Sequence, residues 1–212
     1  MKLLKITMEG LPHFKDMLDI DFVARQRVHD DDKERLCNVF STIYVNQVIS
    51  FVGINASGKT TILKALSFAM KMLNNESINN IPSKEVLNDL EKNQKVIITA
   101  YFYSKDSIHK LETCIEKKVN DIDESEKLVI TDENLWSKEI CKVKTKKSMF
   151  DFQETDLKEK RNQDEQYLME DISIMVAINK KNDSGYLVRD MLVWTDHNML
   201  SVLGKFPKEL LT

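Results

Sequence analysis

Two glycines, a lysine and a threonine at fixed spacing give residues 53–60 the clearest potential for chemistry in this sequence. The run is Gly53-Ile54-Asn55-Ala56-Ser57-Gly58-Lys59-Thr60, which matches the pattern GxxxxGK[ST]. A loop with this pattern points its backbone N–H groups at an anion and so forms a nest for phosphate oxygens. The sequence therefore predicts a site for the phosphates of a nucleoside triphosphate, with ATP and Mg²⁺ as the expected ligands.

Each position of the motif has a physical role in holding phosphate. Gly53 lets the chain turn sharply, and Gly58 lets the backbone approach phosphate oxygens without a Cβ in the way. Lys59 is expected to reach the β- and γ-phosphates, which makes it the predicted catalytic residue, and the Thr60 hydroxyl is expected to be a Mg²⁺ ligand. Thr61 is a predicted contact of the α-phosphate. The predicted ATP-binding residues are Gly53, Asn55, Ala56, Ser57, Gly58, Lys59, Thr60 and Thr61.

A strand before the loop and a helix after it are needed to position these groups. Residues 48–52 are a continuous apolar run with β-branched members, which is the pattern of a strand buried on both faces. Residues 59–73 carry a stripe of apolar side chains with helical spacing, and the start of such a helix adds positive charge to a phosphate site. A chance match in an ordinary strand–turn–helix would instead leave Lys59 unpaired at a helix N-terminus, where positive charge is unfavourable.

The rest of the pattern predicts an α/β fold in which antiparallel strands extend the nucleotide-binding core. Residues 108–119 alternate apolar and charged side chains, which indicates a half-exposed antiparallel strand, and residues 120–124 are predicted as the turn after it. Another turn is expected at Asn46-Gln47. Further strands are predicted at residues 2–8, 17–23, 39–44, 95–103 and 127–131.

The character of the sequence changes near residue 150. Residues 154–178 are charged, with apolar side chains on one helical face, and a second helical segment is expected from Ser184. We therefore predict two parts. One is a P-loop core with an antiparallel β subdomain over residues 1–150, and the other is a helical arm or lobe over residues 151–212.

Composition and charge narrow the class of protein. The chain has 212 residues and a formal net charge of −3, so the whole chain is not an electrostatic nucleic-acid binder. A local basic run leaves nucleic-acid contact open, although lysines that protect an edge strand explain the run better. Three widely spaced cysteines, and no apolar run of membrane-spanning length, favour a cytoplasmic protein without a membrane segment. The lysines of the basic run are Lys138, Lys142, Lys144, Lys146 and Lys147.

The interior letters of the phosphate loop, including Asn55 and Ser57, resemble the GxNxSGK[ST] loop of ABC-type ATPases related to the SMC and recombination-protein group. The opening residues 5–10, followed by Phe14-Lys15-Asp16, are similar to the strand and turn that begin those proteins. The resemblance extends to bacterial AAA-family ATP-binding proteins of the abortive-infection and OLD-like group. It covers residues 1–75 and, more weakly, residues 95–138.

This resemblance implies a P-loop core of the ABC-ATPase type, with an antiparallel β extension and an inserted helical arm. It implies ATP and Mg²⁺ as cofactors and a homodimer that forms around ATP. Asn55 would lie near the γ-phosphate or a partner subunit, and Phe14 near the adenine. The family often has an arginine in the opening turn, whereas this chain has Leu11-Pro12-His13-Phe14, so base specificity stays open.

The family also has motifs that this sequence does not carry in recognisable form. Its members have a serine- and glycine-containing signature, and residues 200–204 contain those letters without the spacing. They also have a strand that ends in Asp-Glu, for which Asp132-Glu133 is the one candidate. That pair follows a hairpin turn, whereas the catalytic strand must run parallel to the strand before the phosphate loop. We therefore expect the fold to be incomplete here and its catalytic half to lie outside this chain.

Two functional hypotheses follow. The first is an ATPase that dimerises around ATP and acts as a switch in phage defence or DNA transactions. The second is a nucleotide-binding module that does not hydrolyse ATP and regulates a separate effector or nuclease partner. A P-loop kinase or GTPase is disfavoured because the sequence has no NKxD guanine motif.

Overall fold

A computed structural model describes residues 2–26, 28–54, 58–74, 76–92, 94–119, 125–161 and 169–175. These residues contain one α-helix, α1 (Lys59–Leu73), and several short 3-10 turns, among them Pro82–Leu87 and Glu154–Asp156. The strands are β1 (Lys2–Glu9), β2 (Leu18–Asp21), β3 (Leu36–Phe40), β4 (Ile43–Asn46), β5 (Lys95–Ser104), β6 (Ser107–Val119), β7 (Glu126–Glu139) and β8 (Leu157–Lys160).

Six of the strands form one antiparallel sheet in the order β2-β1-β5-β6-β7-β8. Alternation along the strands explains the sheet's buried face: Leu4, Ile6 and Met8 of β1 are at most 1% exposed, while residues between them reach solvent. Apolar residues of α1, including Phe68 and Met72, belong to the same core cluster. The mostly antiparallel sheet and single described helix agree with an α/β nucleotide-binding domain.

Several predicted elements are confirmed. The helix over residues 59–73 has the predicted bounds, and the first two predicted strands pair antiparallel as β1 and β2. β6 alternates buried and half-exposed residues as predicted for 108–119, with Leu111, Thr113 and Ile115 buried. β7 continues the predicted strand 127–131 to Glu139.

The predicted buried strand at residues 48–52 is wrong. These residues form neither strand nor helix, and Val48 and Val52 are 60% and 93% exposed. A strand buried on both faces needs hydrogen-bonding neighbours, and no strand of the ranges given above pairs with this run. Its apolar composition alone therefore does not fix its structure.

The turn predicted at Asn46-Gln47, after a strand over residues 39–44, is also wrong. β3 and β4 form a hairpin whose turn lies at Ser41-Thr42 instead. Ser41 has a φ of 46°, a left-handed conformation that suits a tight turn. β-branched residues occur on both sides of the turn, at Val39, Ile43 and Val45. The sequence therefore did not mark the break between the two strands.

The helical spacing predicted from residue 154 fails over the first part of the second region. Glu154–Asp156 forms a 3-10 turn and Leu157–Lys160 forms β8, which pairs with β7. Backbone groups at the edge of a sheet are a template for a further strand. Here residues 157–160 pair with β7, and this pairing overrides their local helical spacing. Residues 162–168 and 176–212, with the second predicted helix, lie outside the described residues, and the division at residue 150 stays a prediction.

Among the residues given above, no helix has both the length and the apolar composition needed to cross a membrane.

Candidate phosphate-binding site

The second glycine of the phosphate loop begins α1. Gly58 has φ 82° and ψ 8°, a left-handed conformation that favours glycine, and its carbonyl oxygen accepts the Ile62 N–H at 2.9 Å. Lys59 is therefore the first helical residue, and Thr60 and Thr61 follow in the first turn. Backbone N–H groups at a helix start have no partner within the helix itself, and such groups are the donors that a phosphate needs.

The Lys59 ammonium group lies against the carbonyl end of its own loop. Its Nζ donates to the Gly53 oxygen at 2.9 Å and to the Ile54 oxygen at 2.7 Å. These contacts bring the first and last parts of the motif together across the intervening residues. These contacts place the side-chain nitrogen of Lys59 at the start of the helix.

The first turn of α1 contains no acidic residue. Helices ordinarily favour Asp or Glu there because a negative charge offsets the positive end of the helix dipole. In this chain the first turn instead carries Lys59 and two threonines, and Thr60 is exposed. This combination fits an external anion, and the Thr60 hydroxyl fits a Mg²⁺ ligand.

The opening turn of the chain lies beside the loop. A Cβ added to Gly58 would lie 3.8 Å from Cζ of Phe14, so the Phe14 ring is in contact range of the glycine. Phe14 packs against the core, and the neighbouring His13 pairs with Asp89 at 2.9 Å near the surface. An aromatic ring is thus adjacent to the predicted phosphate site.

Of the predicted ATP-binding residues, five are described: Gly53, Gly58, Lys59, Thr60 and Thr61. All five lie in the loop and in the first turn of α1. The other three, Asn55, Ala56 and Ser57, lie outside the described residues.

Comparison with known protein families gives a match over most of the chain. A family model described as AAA domain matches residues 5–188. The chain belongs to the AAA domain family. Membership indicates nucleotide binding and ATPase activity as the general function of the fold. No curated protein and no solved structure gives a significant match.

Asp132 and Glu133 of this AAA domain do not form a catalytic pair in β7. β7 runs antiparallel to β6, which confirms the predicted hairpin. The Glu133 side chain is fully buried, and its oxygens accept hydrogen bonds from Thr113 and Ser173 and from the Ile174 N–H, each at 2.7 Å. A carboxylate that is sealed from water and occupied in this way cannot activate a water molecule.

Sequence reasoning missed the polar cluster around Glu133. The Arg161 guanidinium lies 3.5 Å from Glu133, and both side chains are nearly inaccessible to solvent. Burial raises the pKa of Glu133, while the Ile174 N–H, the Ser173 and Thr113 hydroxyls and Arg161 act in the opposite direction. The sequence offered one signal, because Glu133 lies two residues before Leu135 and therefore on the same, buried face of β7.

The basic run is neither an edge strand nor one continuous surface. Lys138 lies in β7, between β6 and β8, and its Nζ donates to the backbone oxygens of Ser148 (2.5 Å) and Asp151. Burial lowers the pKa of Lys138. Lys146 donates to the Ala24 oxygen at 2.6 Å. The interpretation as lysines that protect an edge strand is therefore wrong, since two of the lysines tie chain segments together.

The described residues contain no group of three or more His, Cys, Asp or Glu side chains that could hold a metal ion. Burial lowers the pKa of His109 to about 4, and its ring stacks on Phe102 at 5.0 Å. His109 is thus a neutral packing residue above that pH.

Proposed function

We propose that this AAA domain binds ATP and Mg²⁺ through residues 53–61 and that the complete protein hydrolyses ATP. The observation that carries the proposal is the Lys59 ammonium, which is fixed on the Gly53 and Ile54 carbonyl groups at the start of α1. The first turn of the helix there contains no acidic side chain. A helix N-terminus without a competing carboxylate is a favourable site for an anion such as phosphate.

In the proposed complex, the Lys59 ammonium turns from the two carbonyl oxygens toward the β- and γ-phosphates. Backbone N–H groups of the loop and the first turn of α1 donate to the phosphate oxygens. Thr60 would hold Mg²⁺, which when bound neutralises charge on the phosphates. Phe14, beside Gly58, is the residue we assign to the base.

Hydrolysis requires a water molecule to attack the γ-phosphorus while the bond to the β-bridging oxygen breaks, which yields ADP and phosphate. Glu133 cannot be the base for this step, because its oxygens are buried and already accept three hydrogen bonds. We therefore propose that the base comes from a part of the protein outside the described residues or from a second subunit. A homodimer that forms around ATP would supply it and would act as a switch in DNA transactions or phage defence.

The alternative is a nucleotide-binding module that does not hydrolyse ATP and regulates an effector or nuclease. The sealed Glu133 favours this alternative, since it removes the sequence's one candidate for the Asp-Glu pair. The two proposals share the same phosphate site and differ only in turnover.

Calorimetric titration with Mg-ATP, combined with phosphate release over a range of protein concentrations, separates them. Saturable binding with release per subunit that rises steeply with protein concentration supports the dimerising ATPase. Saturable binding with no release at any concentration supports the module. Absence of binding would overturn both.

A further inference from the structure

A short segment after β8, residues 169–175, joins two parts of the domain that the sheet does not connect directly. We call it the strap. Its last three residues, Ser173, Ile174 and Met175, are at most 5% exposed. Its hydrogen bonds reach the loop after α1 on one side and β7 on the other.

Asp171 makes the contacts with the loop after α1. The Ile78 N–H donates to the Asp171 backbone oxygen at 2.9 Å. The Ser77 hydroxyl donates to Oδ2 of the Asp171 carboxylate, and the side-chain nitrogen of Asn79 lies 3.4 Å from the same Oδ2 atom. The helix end continues into this loop, because the Glu76 N–H donates to the Lys71 oxygen at 3.2 Å.

The second set of contacts fixes the strap to β7. The Ile130 N–H donates to the Glu170 backbone oxygen at 2.7 Å, and Ser173 and the Ile174 N–H donate to Glu133. Arg161, directly after β8, donates to the Met169 and Ile172 oxygens at 2.9 Å each.

The loop after α1 also contacts β7 directly. The Asn79 side chain donates to the Leu128 oxygen and accepts from the Leu128 N–H, both at 2.9 Å. The helix end, the strap and β7 thus meet at one junction. A helix of 15 residues is about 22 Å long, and α1 therefore connects Lys59 at its start with this junction at its end.

We propose that the strap couples the nucleotide site to β7, with Asp171 as the positioning residue. The inference rests on the proposed ATP site. Binding of ATP moves the start of α1, the helix carries the shift to residues 77–79, and Asp171 passes it to the strap. Close-packed protein interiors transmit strain, and hydrogen-bond networks are one route by which coupling passes between sites.

Hydrogen exchange detected by mass spectrometry tests the coupling in the full chain, with and without Mg-ATP. In the unmodified protein we expect nucleotide to slow exchange in residues 53–61 and to change exchange in the strap by at least about fivefold, the lower end of allosteric coupling. In Asp171→Ala the change in the strap should fall below about twofold, while protection of residues 53–61 remains.

Glu170→Gln is the matched control. It removes one carboxylate charge from the neighbouring position, where Glu170 pairs with surface residues Lys118 and Lys127 and not with the loop after α1. Its nucleotide response in the strap should match that of the unmodified protein. If Asp171→Ala already exposes the strap without nucleotide, Ser77→Ala removes one contact from the opposite side and should reduce the response in the strap.

The outcomes separate failure of the inference from failure of the proposed function. Protection of residues 53–61 with no response in the strap of the unmodified protein overturns the coupling and leaves the ATP site intact. An undiminished strap response in both Asp171→Ala and Ser77→Ala also overturns it. Absence of any nucleotide effect on residues 53–61 overturns the ATP site and the coupling together.

Discussion

Two lysines, Lys59 and Lys138, make similar contacts but have different surroundings and different roles. Lys59 holds its ammonium on two loop carbonyl groups at the start of a helix, where a phosphate can compete for it. Lys138 holds its ammonium on two carbonyl groups between packed segments, and burial lowers its pKa. The first arrangement can exchange partners with a ligand, whereas the second fixes the chain.

His109 should make the protein sensitive to mild acid. Burial lowers its pKa from the ordinary 6.5 to about 4, so the unfolded chain binds a proton in this range more readily than the folded chain does. The free energy of unfolding should therefore fall as pH drops from 6.5 toward 4, by about 2 kcal/mol from this group. Urea denaturation at pH 7 and pH 4.5 measures the change, and His109→Gln should show a loss smaller by that amount. An equal loss in both proteins would contradict the assignment.

Glu133 should matter for stability and not for ATP binding. Glu133→Ala removes the acceptor of three hydrogen bonds and leaves the Arg161 guanidinium buried without a carboxylate, which costs about 3–5 kcal/mol. Asp132→Ala, at the exposed neighbouring position, should cost no more than about 0.5 kcal/mol. Chemical denaturation compares the two variants, and similar values for both would contradict the buried cluster.

Among the elements, the close approach of β1 and β5 depends on Gly10. A Cβ on Gly10 would lie 2.2 Å from the Lys95 backbone oxygen, and Gly10 has a φ of 76°. Gly58 has a similar φ of 82°, but within the described part of the chain its added Cβ would meet the Phe14 ring at an ordinary contact distance of 3.8 Å. The two glycines therefore share the left-handed backbone and differ in the backbone clash.

This difference predicts unequal costs for the same substitution. Gly58→Ala should destabilise the protein by about 1–2 kcal/mol, the cost of a left-handed alanine. Gly10→Ala should cost more, roughly 4 kcal/mol or above, because β1 and β5 must separate. Thermal and urea denaturation of both variants measure this, and a Gly10→Ala protein as stable as Gly58→Ala would contradict the observed strand contact.

The periodicity of apolar residues predicted those elements whose structure depends mainly on residues close together in the sequence. The helical spacing of apolar residues predicted the bounds of α1, and the alternation of apolar and charged residues predicted β6. Both periodicities can be recognised within a single segment of the sequence. Residues 48–52 could not be predicted in this way, because an apolar run becomes a strand only when a neighbour pairs with it. The strand β8 was not predicted, because its residues have helical spacing and form a strand through pairing with β7.

The candidate site was predictable to the same extent. The loop motif specified Gly58, Lys59 and Thr60 together with the helix start, since their spacing is local. The pairing of Thr113 with Glu133, and their contacts with Arg161, join positions far apart in the chain. Only the register of β6 and β7 brings them together, so a single sequence could suggest a buried glutamate but not its partners.

At the scale of the whole molecule, the described residues form a six-stranded antiparallel sheet, the β3–β4 hairpin and α1, and the AAA domain match spans residues 5–188. The loop is joined to α1 at one end, and the far end of α1 meets the strap and β7. A ligand that binds the start of α1 thus acts on an element that the rest of the core holds firmly. The central claim is that this ligand is ATP with Mg²⁺, held by Lys59.

Calorimetric titration of Mg-ATP into the protein, Lys59→Ala and Lys64→Ala tests this claim most directly. Lys64 lies in the same helix and forms a surface pair with Glu85 at 2.6 Å, so its substitution removes an equal charge away from the loop. We predict that Lys59→Ala weakens binding at least about tenfold, while Lys64→Ala stays within about twofold of the unmodified protein. Equal affinities in all three proteins, or no binding by the unmodified protein, would contradict the account.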